Sequence, residues 1–144
     1  MPLQELIQFP TPGAPWGVIP LWLARTFVFA FGLLWGSFLN VVIYRVPRDM
    51  SVVRPGSHCP GCGKPIAGYD NIPVFTWLLL RGRSRCCQTK ISIRYPLVEL
   101  VTGLLFAAAG WVNGAQPVAP IWWGVLSALV ALTMIDWGTM LLPE

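Results

Sequence analysis

The chain has 144 residues, of which 55% are hydrophobic and only 11% are charged. In globular proteins about a quarter of all residues are charged. This composition therefore excludes an ordinary soluble domain and indicates a membrane protein. The formal net charge is +4, and nine of the ten Lys and Arg residues lie between Arg45 and Arg94. Because long apolar runs flank this basic stretch, the charge indicates membrane topology, and we expect no nucleic-acid partner.

The first apolar run covers residues 26–44 and follows a lead-in, residues 1–25, that lacks the positive stretch of a secretory signal peptide. At ~1.5 Å of rise per residue, this run is long enough to cross a bilayer as a helix. Gly32 and Gly36 form a pair of small residues one turn apart, which suits close packing against another membrane helix. Asn40 continues along that side, and we expect it to be buried with a hydrogen-bond partner.

Residues 45–94 form a polar segment that contains five prolines and all four cysteines of the chain. It is too poor in apolar residues to fold by hydrophobic burial alone, so a staple is expected. Cys59-x-x-Cys62 is typical of a zinc-binding turn, in which two thiolates point at one ion. The sequence therefore predicts a structural zinc site in this segment, with disulfides as the disfavoured alternative.

The second half of the metal site is irregular in this sequence. A second Cys-x-x-Cys would complete the pattern, but serine stands at position 84, before Cys86 and Cys87. Adjacent cysteines are expected to have difficulty pointing at one ion without backbone strain. The predicted ligands are therefore Cys59, Cys62 and Cys87, with Cys86 or His58 as the fourth.

Two further apolar runs, residues 95–112 and 121–142, complete an all-α architecture with three transmembrane helices. Glu99 is the only charge of the second run. An acid in the first helical turn complements the helix dipole, and a functional role is the alternative. The third run contains Asp136, and an acid within a membrane span is usually functional.

The distribution of charges predicts the orientation of the helices. The basic segment between the first two spans belongs in the cytoplasm, and the uncharged connection at 113–120 belongs outside. The third span then runs inward, so Asp136 lies near its cytoplasmic end, on the same side as the cysteines. One carboxylate there could bind a cation or a proton, a pair could activate water, and a solvated structural role is the remaining alternative.

Six motifs in order resemble the bacterial type IV prepilin peptidases, from about residue 30 to the last residue. These motifs are Gly36-Ser37-Phe38-Leu39-Asn40-Val41-Val42-Ile43-Tyr44-Arg45, Cys59-Pro60-x-Cys62, Asp70-Asn71-Ile72-Pro73, Leu80-Arg81-Gly82-Arg83, Ile91-Ser92-x-Arg94-Tyr95-Pro96-Leu97-Val98-Glu99 and Ile135-Asp136-x-x-Thr139-x-Leu141-Leu142-Pro143. The resemblance implies a multi-pass aspartic endopeptidase of the bacterial inner membrane. Such enzymes remove the leader of prepilins and type II secretion pseudopilins, and many methylate the new N-terminus with S-adenosylmethionine.

The resemblance also implies roles for individual residues. Asp136 corresponds to the first catalytic aspartate, and the second belongs to a Gly-x-Gly-Asp motif that this sequence does not contain. The family's zinc cysteines correspond to Cys59, Cys62, position 84 and Cys87, so Ser84 breaks the set. We expect a truncated N-terminal part that is inactive alone; the alternatives are a non-catalytic membrane-anchored metal-binding or assembly module and an inactive fragment.

Overall fold

The computed structural model describes residues 21–113 and 118–140, and these parts of the chain are helical without a β-strand. The α-helices are α1 (Leu21–Arg45), α2 (Phe75–Leu79), α3 (Arg94–Asn113) and α4 (Ala119–Met140), with 3-10 turns at Val46–Arg48 and Gly68–Asn71. The all-helical class predicted from the sequence is therefore confirmed for the described residues.

Three of these helices are long and apolar enough to cross a membrane: Trp22–Arg48, Arg94–Val112 and Ala119–Gly138. The first two predicted spans, 26–44 and 95–112, lie within α1 and α3. α4 contains the third predicted span as far as Met140, and residues 141–142 lie outside the described part of the chain, as do residues 1–20 of the lead-in.

Helix α1 begins before the predicted boundary at residue 26 because the charge of Arg25 is accommodated. Its guanidinium lies 3.9 Å from the ring centroid of Trp111, near the end of α3. A cation over an indole face is stabilised by the ring quadrupole, so the charge does not interrupt the helix. Together with the approaches of Gly32 to Gly103 and of Gly36 to Glu99, this contact shows that α1 and α3 run antiparallel.

The closest helix contact in the structure is the one between α1 and α3, at the two glycines of α1. A Cβ on Gly32 would stand 2.8 Å from the Cα of Gly103, and one on Gly36 would stand 2.7 Å from the Cα of Glu99. Neither position has room for a side chain. The predicted small-residue packing face is confirmed.

Asn40 lies in the same interface and is only 8% exposed. Its side-chain amide donates a hydrogen bond of 3.0 Å to the carbonyl of Tyr95, in the first turn of α3. In a membrane interior, a polar group must find such a partner within the protein. The expected burial and pairing of Asn40 are confirmed.

Helix α4 packs across the α1–α3 pair through two separate layers. The first layer is apolar and contains Leu39, Ile43, Val98 and Ala131. The second is aromatic, with the rings of Phe106 and Trp123 stacked at a centroid distance of 5.3 Å. The outer surface stays apolar, as lipid contact requires: Phe27 of α1 is 72% exposed and Leu132 of α4 is 64% exposed.

Gly36→Ala is expected to lower the free energy of unfolding by about 1–3 kcal/mol, because the new methyl group meets the backbone of α3. The matched control is Gly124→Ala on α4, where a Cβ would meet nothing within 4 Å. That change should alter the stability by less than about 1 kcal/mol, in the stabilising direction. Tryptophan fluorescence during detergent-induced unfolding measures both variants, and equal losses would contradict the packing described here.

Candidate functional site

The cysteines lie in two backbone turns of the polar segment. In the first turn, the N–H of Cys59 donates to the carbonyl of Lys64 (2.8 Å), and the N–H of Gly63 donates to the carbonyl of Cys59 (2.9 Å). An isolated antiparallel bridge between His58 and Pro65 closes the base of this turn. Cys59 and Cys62 are thus held within one hydrogen-bonded loop.

The second turn repeats this pattern 25 positions later, from Cys59 to Ser84. The N–H of Ser84 donates to the carbonyl of Thr89 (2.9 Å), and the N–H of Gln88 donates to the carbonyl of Ser84 (3.0 Å). A bridge between Arg83 and Lys90 closes its base. Gln88 even shares the left-handed backbone of its counterpart Gly63, with φ of 60° against 69°. The two turns are therefore equivalent halves of one site.

Four thiols converge between these turns. The Sγ atoms of Cys59, Cys62, Cys86 and Cys87 all lie within 4.8 Å of one another. The separations are 3.5 Å for Cys59–Cys87, 3.1 Å for Cys62–Cys86 and 3.9 Å for Cys86–Cys87, all within about 0.7 Å of the ~3.8 Å that tetrahedral zinc with ~2.3 Å bonds requires. An all-sulfur set of this size fits zinc. Contrary to the expectation from their adjacency, Cys86 and Cys87 both reach the cluster.

Ser84 occupies the place in the second turn that Cys59 occupies in the first. Its side chain is buried, with Oγ 3.2 Å from the Sγ of Cys87, and it accepts the N–H of Thr89 at 3.1 Å. Its hydroxyl thus supports the turn, and the fourth thiol comes from Cys86. His58, the alternative fourth ligand, is not part of this cluster of possible ligands.

Cys86 corresponds to Gly61 in the first turn, where the second turn leaves no room for a side chain. A Cβ on Gly61 would stand 2.0 Å from Thr89 Oγ1 and 3.0 Å from Cys87 Sγ. The space that Gly61 leaves open is thus filled from the second turn. In the sequence, the glycine at position 61 was the signal that another segment approaches the first turn closely.

The surroundings favour thiolates at two of the four positions. Hydrogen bonds from the Ser84 hydroxyl and from Thr89 lower the pKa of the Cys87 thiol to about 5. The backbone N–H of Cys62 and the thiol of Cys86 lower the pKa of Cys59. The Cys86 thiol donates hydrogen bonds to the sulfurs of Cys62 and Cys59, and this stabilisation of the protonated form raises the pKa of Cys86 to about 12. A bound cation would lower this pKa, since metal ligation deprotonates thiols.

The cysteine turns are attached to the rest of the polar segment by side chains around them. Arg85 forms an ion pair with Asp70, with Nε 2.9 Å and 3.1 Å from the two carboxylate oxygens, and Asp70 raises the pKa of Arg85. The indole N–H of Trp77 donates to the carbonyl of Ile91 at 3.1 Å. These contacts tie helix α2 and the second turn into one folded module, residues 45–94.

Glu99 connects this module to the membrane helices. It is 8% exposed, and its Oε2 accepts a 2.7 Å hydrogen bond from the N–H of Val74. Val74 has a φ of 59°, a strained conformation for a β-branched residue. The prediction that Glu99 lies in the first turn of its helix and complements the helix dipole is wrong. α3 begins at Arg94, and its first turn holds no acid.

Asp136 lies in the last part of α4 with an exposed side chain. Arg94, where the module joins α3, donates from its guanidinium to the carbonyl of Met134 and lies 3.4 Å from the place of a Cβ on Gly138. Ile135 and Gly138 also line a cleft of about 480 Å³ between α1, α3 and α4. Asp136 is therefore placed at the end of the bundle from which the module extends.

A family model described as the bacterial peptidase A24 N-terminal domain matches residues 30–113, more than half of the chain. The chain belongs to this family. The match covers α1 from its middle, the whole cysteine module and α3. The predicted resemblance to the prepilin peptidases is confirmed.

Curated relatives named prepilin leader peptidase/N-methyltransferase agree with the family. The protein of Myxococcus xanthus is 51% identical over 125 residues, which cover 84% of this chain and 36% of the relative. For Klebsiella pneumoniae the identity is 48%, with 83% and 55% covered, and for Neisseria gonorrhoeae it is 42%, with 78% and 48% covered. The chain thus spans between about a third and about half of the relatives it matches. No solved structure matched it.

The metal site gives a prediction in which Cys86 and position 84 exchange roles. The chain should retain about one zinc ion, and Cys86→Ser should lose it, because three thiols remain. Adding Ser84→Cys to Cys86→Ser should restore retention, since position 84 is equivalent to Cys59. Elemental analysis after a chelator wash measures the zinc per chain. A wild-type chain with four free thiols and no zinc would contradict the site.

Proposed function

We propose that this chain is the N-terminal part of a prepilin leader peptidase that also methylates the new N-terminus of its product. The observation that carries the proposal is sequence identity of up to 51%, over most of the chain, to proteins that bear this name. Its substrates would be prepilins or type II secretion pseudopilins. The name of the relatives also supports S-adenosylmethionine as the methyl donor.

The proposed location is the bacterial inner membrane, with α1, α3 and α4 spanning the bilayer in contact with its lipids. The module at 45–94 would face the cytoplasm. Its excess of Lys and Arg supports this orientation, because positively charged loops stay on the cytoplasmic side. The leader would then be cut on the cytoplasmic side, where Asp136 would also lie.

The proposed catalytic residue is Asp136. It lies on the same side of the bundle as the module, and its carboxylate is exposed rather than buried among helices. In an aspartic peptidase two carboxylates share the work: one takes a proton from the attacking water, and the other gives a proton to the leaving amine. The second carboxylate would come from the Gly-x-Gly-Asp motif of the longer relatives.

The cysteine cluster would have a structural role. Cys59, Cys62, Cys86 and Cys87 would hold a zinc ion that joins the two turns and replaces the missing hydrophobic core of the module. No hydrolytic step needs this ion. The same geometry favours the second candidate function, a membrane-anchored metal-binding or assembly module without catalysis, because its donor set is complete without Asp136.

The orientation predicts the outcome of reporter fusions. Green fluorescent protein joined after Arg85 should fluoresce, and alkaline phosphatase joined there should be inactive, because residue 85 would lie in the cytoplasm. Fusions within the connection after α3 should give the opposite pair of results. Alkaline phosphatase activity from the fusion after Arg85 would reverse the proposed topology.

Asp136→Asn in the complete gene product that contains this chain should abolish cleavage of a prepilin, with a loss of at least about a thousandfold, because a dyad with one carboxylate cannot transfer both protons. Asp49→Asn is the matched control, since Asp49 is an exposed acid in the module. Cleavage is measured by mass spectrometry of the pilin N-terminus. Full cleavage by the Asp136 variant would leave the metal-binding module as the better function.

A further inference from the structure

Helix α2 has two chemically different faces. Thr76 and Trp77 point inward: Thr76 is 7% exposed and donates to the carbonyl of Tyr69, and the Trp77 indole N–H is bonded to Ile91. Phe75, Leu78 and Leu79 share the opposite face, at positions one turn apart. They are 60%, 62% and 63% exposed, so α2 presents an exposed apolar face on the surface of the module.

The depth of this face in the membrane follows from the contact between Glu99 and Val74, the residue just before α2. Glu99 lies five residues beyond Arg94 (99 − 94), or about 7 Å along α3. At the same level, Gly36 lies nine residues before Arg45 (45 − 36), or about 13 Å along α1. Val74 is therefore held below the charged ends of both helices.

We propose that α2 is an interfacial membrane helix, whose Phe75, Leu78 and Leu79 enter the acyl region of the cytoplasmic leaflet. The Cα of Glu99, about 7 Å along α3 from Arg94, lies within the ~5–10 Å to which interfacial amphipathic segments insert. The proposal rests on the proposed membrane orientation and adds to it, because part of the loop between α1 and α3 then belongs to the bilayer.

The residues that follow α2 have the chemistry of a lipid headgroup contact. Arg81 and Arg83 are exposed and flank Gly82, whose backbone folds against the Trp77 ring. Arginine side chains beside an inserted apolar face extend toward the phosphate layer. The occupant of the apolar face is thus a bilayer with anionic headgroups, rather than a second protein.

Photocrosslinking tests the insertion with the intact chain in vesicles of phosphatidylethanolamine and phosphatidylglycerol. The photoreactive residue p-benzoylphenylalanine replaces Leu79 in one variant and Leu78 in a second, so that one misfolded variant does not decide the outcome. Phe27 and Leu132, on the outer faces of α1 and α4, are the lipid-facing controls. Lys64, exposed in the first cysteine turn, is the water-facing control.

Mass spectrometry after irradiation should find lipid adducts at Leu79 or Leu78 comparable to those at Phe27, and at least about tenfold above those at Lys64, because a water-facing label meets few acyl chains. Adducts to protein at both α2 positions would overturn the proposal in favour of a covering chain. Lipid adducts at Phe27 and Leu132 but not at Leu78 or Leu79 would overturn only the proposed insertion of α2 into the bilayer. No lipid adduct at any position would also overturn the proposal that α1 and α4 contact the bilayer.

Discussion

The close approach of α1 and α3 is the constraint on which the rest of the structure depends. Gly36 lets the backbone of α3 come so near that a Cβ there would stand 2.7 Å from the Cα of Glu99. This contact places the Glu99 carboxylate where it accepts a hydrogen bond from the N–H of Val74. One glycine in a membrane helix thereby decides where the polar module is attached. Without that approach, the module would be joined to the helices mainly through its two chain ends.

The module has too few apolar residues for a hydrophobic core, and several separate contacts stabilise it instead. Two equivalent turns bring four thiols together, an Asp70–Arg85 ion pair braces one turn, and Trp77 packs against Gly82. The exposed ion pair contributes little stability by itself, so a metal at the thiols would be the main staple. The module begins at Arg45 and ends at Arg94, whose guanidinium donates a hydrogen bond to the carbonyl of Met134, close to Asp136.

The irregular second turn shows how a site tolerates the loss of a ligand residue. Ser84 keeps the hydrogen bonds of its turn, and Cys86 supplies the fourth sulfur, 3.1 Å from the Sγ of Cys62. The number of thiols is preserved although their order along the chain is changed. This arrangement explains how a chain with serine at position 84 can still present a complete set of sulfur donors.

The sequence by itself determined the helical class, the three apolar runs, the packing face of Gly32 and Gly36 and the family, because periodicity, hydrophobicity and motif order are local properties. Its spacing suggested the four thiols but left the fourth ligand open. Only the tertiary structure decided that Cys86 joins the cluster and that Glu99 holds Val74. Both depend on contacts between segments about 25 residues apart, which no local pattern in the sequence specifies. The Glu99–Val74 contact also places the start of α2 beside α3.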